Sequence, residues 1–302
     1  MFKKLLSTCL FLVSALVIFI YIVPSKQSEI LSPLVPGRIA ANLWLPKNGD
    51  STFEKAPEIS AESAYFVDIN TGQVLYQKNP DQKLPIASLT KIMTAIVTLE
   101  NRSLSDQILI SEKVSKMEPD SMLLLAGEKL TVEELLEGVF LVSANDAAQA
   151  LAETTFDNYD KFISEMNNTA IRLGLKNTLF VNPTGLEEDN RQQYSTAFDV
   201  ALMSRYAIKT FSHLIDITKQ PHILIPKTET HQDYDLYSGI NLLTTYPGVI
   251  GFKTGFTPGA GLTLVTLAQK DGHQVLGVLL HSENRREEAR ELLDYSFKKL
   301  GI

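Results

Sequence analysis

Apolar residues recur with two different periods along this chain, and each period predicts a different kind of element. Two β-rich runs, 64–69 and 73–77, are joined by a turn containing Gly72 and predict a β-hairpin. Near the end of the chain, three more runs are separated by turns that contain glycine. They predict an antiparallel meander with strands over 249–255, 262–269 and 275–281.

Apolar residues recur at helical spacing through the middle of the chain. A helix is predicted to follow Pro85 and to continue to Leu99, with an apolar stripe too strong for a surface helix. Thr131 and Glu134 have the spacing of a capping box and predict the start of a second helix, which stops near Ser143.

Further helices follow from the same kind of spacing. They are predicted over 147–155, where Asn145 or Asp146 would be the cap, over 159–173, from Thr196 through Tyr206, and over 286–300. The last of these should lie across the meander. The polar segment 226–238 has no clear period and is interpreted as a surface loop or a short hairpin.

The amino-terminal segment is uncharged from residue 5 to residue 23 and follows Lys3 and Lys4. Its length and flanking charge favour an uncleaved signal anchor, with a cleaved signal peptide as the alternative. Prolines punctuate residues 24–54, which we interpret as an extracytoplasmic linker before a catalytic domain at 55–302. The single cysteine, Cys9, lies in the anchor, so no internal disulfide is expected.

Composition limits the classes of function. The chain has 302 residues, 44% of them hydrophobic, which is enough for one large domain or two small ones. A net charge of -7 and the lack of a basic cluster argue against a nucleic-acid partner. The five histidines have no metal-binding spacing, and we predict neither a metal nor a cofactor.

Ser88 and Lys91 are the first pair of candidate catalytic residues along the chain. Residues three apart share one face of a helical turn, so a hydroxyl and an amine would lie side by side, as a nucleophile and its base require. The amino end of the predicted helix adds free backbone N–H groups that could stabilise an oxyanion.

Two more short motifs follow in chain order. Together the three match the S-x-x-K, S-x-N and K-T-G set of penicillin-binding proteins and class A β-lactamases. Taken alone, Lys253 could be an ordinary edge-strand lysine and Ser143 with Asn145 a helix cap. The motifs are Ser88-x-x-Lys91, Ser143-x-Asn145 and Lys253-Thr254-Gly255.

From Ala56 to its end the chain closely resembles the serine-type D-alanyl-D-alanine carboxypeptidases, the low-molecular-mass penicillin-binding proteins of a family S11-like type. Members often continue into a second domain and a membrane helix, whereas this chain ends at Ile302, so we expect its amino-terminal segment to act as the anchor. Besides the opening hairpin, the resemblance is carried by Ala87-Ser88-Leu89-Thr90-Lys91, Ser143-Ala144-Asn145-Asp146-Ala147, Asn182-Pro183-Thr184-Gly185-Leu186 and Gly251-Phe252-Lys253-Thr254-Gly255-Phe256-Thr257.

The resemblance implies an α/β fold of the β-lactamase/transpeptidase type. A mainly antiparallel sheet would be flanked by helices, an all-helical lobe would lie beside it, and the active-site cleft would separate the two. The implied activity is removal of the terminal D-alanine from peptidoglycan stem pentapeptides, and the implied partners are stem peptides and β-lactam antibiotics. The implied location is the bacterial cell membrane with the catalytic domain outside, or secretion if the anchor is cleaved.

Residue types then suggest roles. Ser88 would be the nucleophile, and Lys91 its base, with a pKa lowered by burial and by Lys253. Ser143 would pass the proton to the leaving amine, and Asn145 would hold Lys91 and a substrate amide.

The remaining roles come from the resemblance. Lys253 and Thr254 would bind the terminal carboxylate of the substrate, and Gly255 would let the substrate lie against the strand as an added strand. The backbone N–H groups of Ser88 and Phe256 would form the oxyanion hole.

Two other functions stay open at this point. A class A-like β-lactamase needs a glutamate in E-x-x-x-N spacing, but Arg191 follows Glu187 by four residues and Gln192 follows Glu188. A catalytically retired, muropeptide-binding membrane protein would lack a catalytic residue, and the three motifs here are complete. The sequence does not indicate an oligomeric state.

Overall fold

A computed structural model describes residues 47–48, 55–188 and 191–302. The predicted anchor at 1–23, with Cys9, and all but two residues of the linker at 24–54 lie outside the described residues. Within the described ranges, every helix is too short or too polar to cross a bilayer.

A six-stranded sheet forms the centre of the molecule, in the order β1-β3-β2-β10-β9-β8. Every neighbouring pair in it is antiparallel except β1 with β3. The predicted hairpin (β2 and β3) and the predicted meander (β8 to β10) are confirmed. The strands are β1 Lys47–Asn48, β2 Ser63–Asp68, β3 Gln73–Lys78, β8 Val249–Thr257, β9 Gly261–Lys270 and β10 His273–Ser282.

Eight helices are found in the described part of the chain. They are α1 Thr90–Asn101, α2 Val132–Leu141, α3 Asn145–Thr155, α4 Tyr159–Leu173, α5 Ala197–Thr210, α6 His213–Thr218, α7 Leu242–Thr245 and α8 Arg285–Lys299. Short 3-10 turns occur at Ala87–Leu89 and Val114–Lys116.

Each face of the sheet buries its own apolar cluster. On one face, α8 packs across the strands through residues such as Ala289 and Leu292. The other face joins a larger cluster that extends into the helices around α1, whose residues from Thr90 to Thr98 are buried. The predicted α/β fold is therefore confirmed, although α5 packs against β2 and β10 rather than only within the helical lobe.

The helix boundaries around the second motif are partly as predicted. The capping box is present, since Thr131 Oγ1 accepts from the Glu134 N–H at 3.1 Å and Glu134 Oε2 accepts from the Thr131 N–H at 2.7 Å. The prediction that Asn145 or Asp146 caps α3 is wrong. Ala144 is the N-cap and makes no side-chain cap bond, while Asp146 instead accepts from the backbone N–H groups of Met122 and Leu124. These polar side chains are occupied with other partners, so they do not cap the helix.

Two small sheets accompany the helical lobe. The strands β6 His222–Ile225 and β7 Tyr234–Tyr237 pair antiparallel, so the segment between them is the turn of a short hairpin, one of the two interpretations of the polar stretch. The pair β4 Gln107–Leu109 and β5 Lys129–Thr131 was not predicted. Three residues are too few to show an alternating pattern.

Candidate active site

Lys91 lies at the centre of the candidate site. Ser88 stands in the 3-10 turn that leads into α1, so Lys91 one turn later reaches its hydroxyl, with Nζ 2.9 Å from Ser88 Oγ. The same Nζ lies 2.7 Å from Asn145 Oδ1 and 2.8 Å from the carbonyl oxygen of Thr184. A neutral amine has two donors and one lone pair, so it could donate to these two oxygens and accept the proton of the serine hydroxyl.

The surroundings of Lys91 favour that neutral form. Its side chain is completely buried, and burial disfavours the charged ammonium. The pKa of Lys91 is therefore held well below its usual value, first by desolvation and then by the nearby positive charge of Lys253. The carboxylates of Asp120 and Asp146 oppose this shift of the pKa without reversing it.

Two glycines enclose the Ser88 turn. At Gly255, a Cβ would lie 2.9 Å from the backbone nitrogen of Ser88 and 2.6 Å from Thr263 Oγ1. Gly185 has φ +88°, and its Cβ would lie 2.0 Å from the carbonyl oxygen of Ala87. The Ser88 turn is thus held between β8 and the 182–188 loop at distances that only glycine allows.

The second motif lies at the junction between α2 and α3. Ser143 has φ +62°, in the left-handed region, and Asn145 is the first residue of α3. Asn145 Nδ2 donates to the carbonyl oxygen of Pro119 at 2.6 Å, which leaves Oδ1 turned towards Lys91. This amide therefore links Lys91 to the 118–121 loop.

The third motif places Lys253 beside Ser143. The Lys253 side chain is 1% exposed, and its Nζ donates to Ser143 Oγ at 2.9 Å and to the carbonyl oxygen of Thr254 at 2.7 Å. Burial, followed by the charge of Arg285, lowers the pKa of Lys253 to about 7, with Asp120 acting in the opposite direction. At neutral pH this lysine can carry charge or lose it.

A cleft of about 380 Å³ opens in front of these groups. The predicted residues Ser88, Ser143, Thr254, Gly255 and Phe256 all line it. Phe256 is 60% exposed and its ring has no N–H or O–H group, so its backbone N–H is the group that could serve as an oxyanion donor. The structure thus brings together all eight residues that the sequence singled out.

Three cleft residues with polar side chains escaped prediction from sequence: Asp120, Tyr237 and Arg285. Arg285 Nη1 donates to the carbonyl oxygens of Gly255 at 2.6 Å and Thr263 at 3.2 Å. A usable signal did exist, because Arg285 opens α8, where a cation faces the positive end of the helix dipole. Asp120 and Tyr237 belong to a loop and to a four-residue strand and carry no such signal.

The charge of the cleft differs from that of the whole chain. The protein is acidic overall, with a net charge of -7, yet Arg285 lines this opening and Lys253 contacts two of its lining residues, Ser143 and Thr254. Such a site attracts a substrate that carries a carboxylate. Across the described ranges, no three His, Cys, Asp or Glu side chains are grouped so that they could hold a metal ion.

Comparison with known proteins gives consistent results. A sequence model of the family described as D-alanyl-D-alanine carboxypeptidase, Peptidase S11, matches residues 50–284. The D-alanyl-D-alanine carboxypeptidase DacF of Bacillus subtilis is 34% identical over 285 residues, which is 90% of this chain and 72% of the relative.

Solved structures agree with this match. The crystal structure of the Streptomyces K15 DD-transpeptidase has a TM-score of 0.75 and 32% identity, covering 81% of this chain and all of that one. Penicillin-binding protein D2 of Listeria monocytogenes, in an ampicillin-bound form, has a TM-score of 0.68 and 29% identity, with the same coverage of both chains.

Proposed function

Because the chain belongs to the D-alanyl-D-alanine carboxypeptidase family, Peptidase S11, we propose that it removes the terminal D-alanine from peptidoglycan stem peptides through an acyl-enzyme on Ser88. The observation that carries this proposal is the hydrogen bond between Lys91 Nζ and Ser88 Oγ, in a buried setting that lowers the pKa of Lys91 and so favours the neutral amine. An unactivated serine hydroxyl is a weak nucleophile, and a neutral amine 2.9 Å away supplies the missing base.

In the first step, Ser88 Oγ attacks the carbonyl carbon of the penultimate D-alanine while its proton moves to Lys91 Nζ. The carbonyl oxygen becomes an oxyanion, which would accept hydrogen bonds from the backbone N–H groups of Ser88 and Phe256. Gly255 and Gly185 support this step, because they let the Ser88 turn approach β8 on one side and the 182–188 loop on the other.

The intermediate then collapses. The bond between the carbonyl carbon and the nitrogen of the last D-alanine breaks, and that nitrogen takes up a proton from Lys91 by way of the Ser143 hydroxyl. Ser143 Oγ is suited to this because it already accepts a hydrogen bond from Lys253. Water afterwards hydrolyses the ester on Ser88 and releases the shortened peptide.

Lys253 and Thr254 would bind the terminal carboxylate of the substrate, which departs with the leaving D-alanine. The basic character of the cleft, with Arg285 adding a further positive charge, supports this assignment. A β-lactam carries a similar carboxylate beside a reactive carbonyl, and the Listeria relative is described with ampicillin and with cefotaxime bound. We therefore expect β-lactams to acylate Ser88.

The two alternatives have less support. The glutamates that could serve a β-lactamase are occupied elsewhere, since Glu187 Oε1 accepts from the Gly259 N–H at 2.8 Å and Glu188 pairs with Arg191. A retired active site is disfavoured by the continuous hydrogen-bonded set that joins Ser88, Lys91 and Asn145.

For the cellular setting, we propose that residues 1–23 anchor the protein in the membrane and that 24–54 hold a catalytic domain at 55–302 outside it. The uncharged run behind two lysines supports this arrangement. Substrates of the proposed activity lie in the cell wall, on the same side of the membrane.

The test uses the purified full chain with fluorescent penicillin and with a synthetic pentapeptide ending in two D-alanines. We expect covalent labelling, release of D-alanine seen by mass spectrometry, and little turnover of nitrocefin. Ser88→Ala should abolish both labelling and release, while the control Ser115→Ala, outside the cleft, should retain both. Labelling that persists in Ser88→Ala would refute the nucleophile, and rapid nitrocefin turnover would favour the β-lactamase.

A further inference from the structure

A second cavity, of about 470 Å³, lies on the other side of the Ser88 turn. Its lining includes Pro85 and Ala87 at the start of that turn, Gly185 and Leu186 from the 182–188 loop, Thr257 at the end of β8 and Gly259 just after it. The two cavities thus flank the same nucleophile and share the same strand as a wall.

The direction of β8 determines which part of a substrate would reach this second cavity. In the proposed function, the terminal carboxylate meets Lys253 and Thr254 at the start of the motif, and the attacked carbonyl meets the backbone of Phe256. A peptide laid along the strand advances about 3.3 Å per residue. The residues before the two D-alanines would therefore pass Thr257 and Gly259 and enter the second cavity.

The charged side chains around the second cavity differ in the partners that they have. Glu188 and Arg191 form an ion pair of 2.6 Å, and Glu187 accepts from the Gly259 N–H. Lys83 is at the cavity wall, where its Nζ lies 4.8 Å from the centre of the Tyr194 ring. No carboxylate in the described part of the chain forms a salt bridge with Lys83.

From this arrangement we propose that the second cavity is a substrate subsite and that Lys83 binds a carboxylate on the amino side of the scissile bond. Lys83 is then a residue that determines specificity, and it takes no part in the chemistry at Ser88. This inference rests on the proposed function, because that function sets the direction of the peptide along β8. Two sources could supply the carboxylate: the side chain of the residue before the two D-alanines, or the residue preceding that one.

The test uses the full chain and synthetic pentapeptides that end in two D-alanines. Three peptides differ only in the residue that precedes the two D-alanines. This residue is norleucine, lysine or 2-aminopimelate, so that its side chain ends in a methyl, an ammonium or a carboxylate. In a second pair the preceding glutamyl residue carries a free or an amidated α-carboxylate. The measured quantity is kcat/KM for D-alanine release, as a ratio of carboxylate to neutral peptide within each set.

We expect one of the two sets to give a ratio of about two to five, the size expected for a partly exposed ion pair, and the responding set identifies the source. Lys83→Gln should bring that ratio to about one. The matched control Lys227→Gln, on an exposed residue away from both cavities, should keep it. The ratio should also fall as salt is added.

Ratios near one in both sets for the unaltered protein would overturn the subsite, and a ratio that survives Lys83→Gln would overturn the role of Lys83. Either result is compatible with rapid D-alanine release and penicillin labelling, so the proposed function would stand. An absence of both release and labelling would instead refute the function, and the subsite with it.

Discussion

A lysine can act as a base at neutral pH only if its surroundings disfavour the ammonium form, and at Lys91 burial and hydrogen bonding act together. Burial removes the water that would stabilise the charge, and Lys253 adds repulsion, so the pKa of Lys91 falls. The partners of Nζ then match a neutral amine, with two carbonyl-type acceptors and one hydroxyl. These contacts are the ones that the proposed role of Lys91 as a base requires.

The glycines beside the Ser88 turn provide a sharp test at the level of single residues. Gly185→Ala would place a Cβ against the carbonyl of Ala87 and shift Ser88, the proposed nucleophile, and a displacement of about 1 Å can cost about 100-fold in rate. We expect penicillin acylation of this variant to slow by about that factor, as measured by stopped-flow labelling.

Gly174→Ala is the matched control for this change. Gly174 also has a positive φ, +77°, but a Cβ added there, at the end of α4, would meet nothing within 4 Å. This variant should lose about 1 kcal/mol of stability from backbone strain and acylate at the normal rate. Equal acylation by both variants would show that close packing against the turn does not position Ser88.

Part of this site could be read directly from local sequence. The contact between Ser88 and Lys91 follows from helical spacing alone, so the motif predicts it without a tertiary structure. The approach of Ser143 to Lys253 depends on how the helical lobe packs against the sheet, and only the known motif set connected them. Arg285 and Lys83 belong to no motif, and their roles follow from the geometry of the two cavities.

Among the elements, α2 carries the clearest local signal, and the structure offers a direct test of it. Thr131 and Glu134 form a reciprocal capping box, so Thr131→Ala removes an acceptor for an N–H at the start of the helix. We expect a loss of about 1 kcal/mol and a Tm lower by about 3 °C. Thr131→Ser keeps the hydroxyl and should recover most of the stability in a thermal scan.

Acylation gives the discriminating measurement for the same variants. The motif residue Ser143 follows α2 but is held by its own turn and by Lys253, so the acylation rate of Thr131→Ala should stay near normal well below its Tm. A large loss of acylation with no change in Tm would mean that the cap serves the site rather than the helix.

Long elements with strong apolar periodicity were predictable. Very short strands were not, and neither were helix caps whose side chains have tertiary partners instead. The hairpin, the meander and the long helices follow from their apolar patterns. The pair β4 and β5 is too short for a pattern to appear. The caps predicted at Asn145 and Asp146 failed because both side chains have tertiary partners, Lys91 for one and the backbone of Met122 for the other.

For the molecule as a whole, the buried lysines link activity to stability. A lysine whose pKa is depressed by folding is less protonated in the folded state than in the unfolded chain. For Lys253 this difference extends from pH about 7, its folded pKa, to the ordinary lysine pKa of 10.5. Within that window the unfolded state binds more protons, so the free energy of unfolding rises with pH.

We therefore expect the protein to become more stable between about pH 7.5 and about pH 9.5, with Lys253 contributing about 1 kcal/mol per pH unit. Lys91 acts in the same direction, because its pKa is lowered as well. Urea unfolding at several pH values in this range measures the slope. Lys253→Met removes one titrating group and should flatten the slope by about the stated amount, whatever the variant does to stability at a single pH.

Lys227→Met is the control, since that lysine is exposed and should leave the slope unchanged. If the slope of Lys253→Met equals that of the unaltered chain, Lys253 does not change its proton affinity on folding. Lys253 would then be fully charged at neutral pH in the folded protein. If the slope does flatten, burial of Lys253 costs the fold part of its stability near neutral pH. The proposed reaction needs this lysine, and such a cost is expected where a site is organised before its substrate binds.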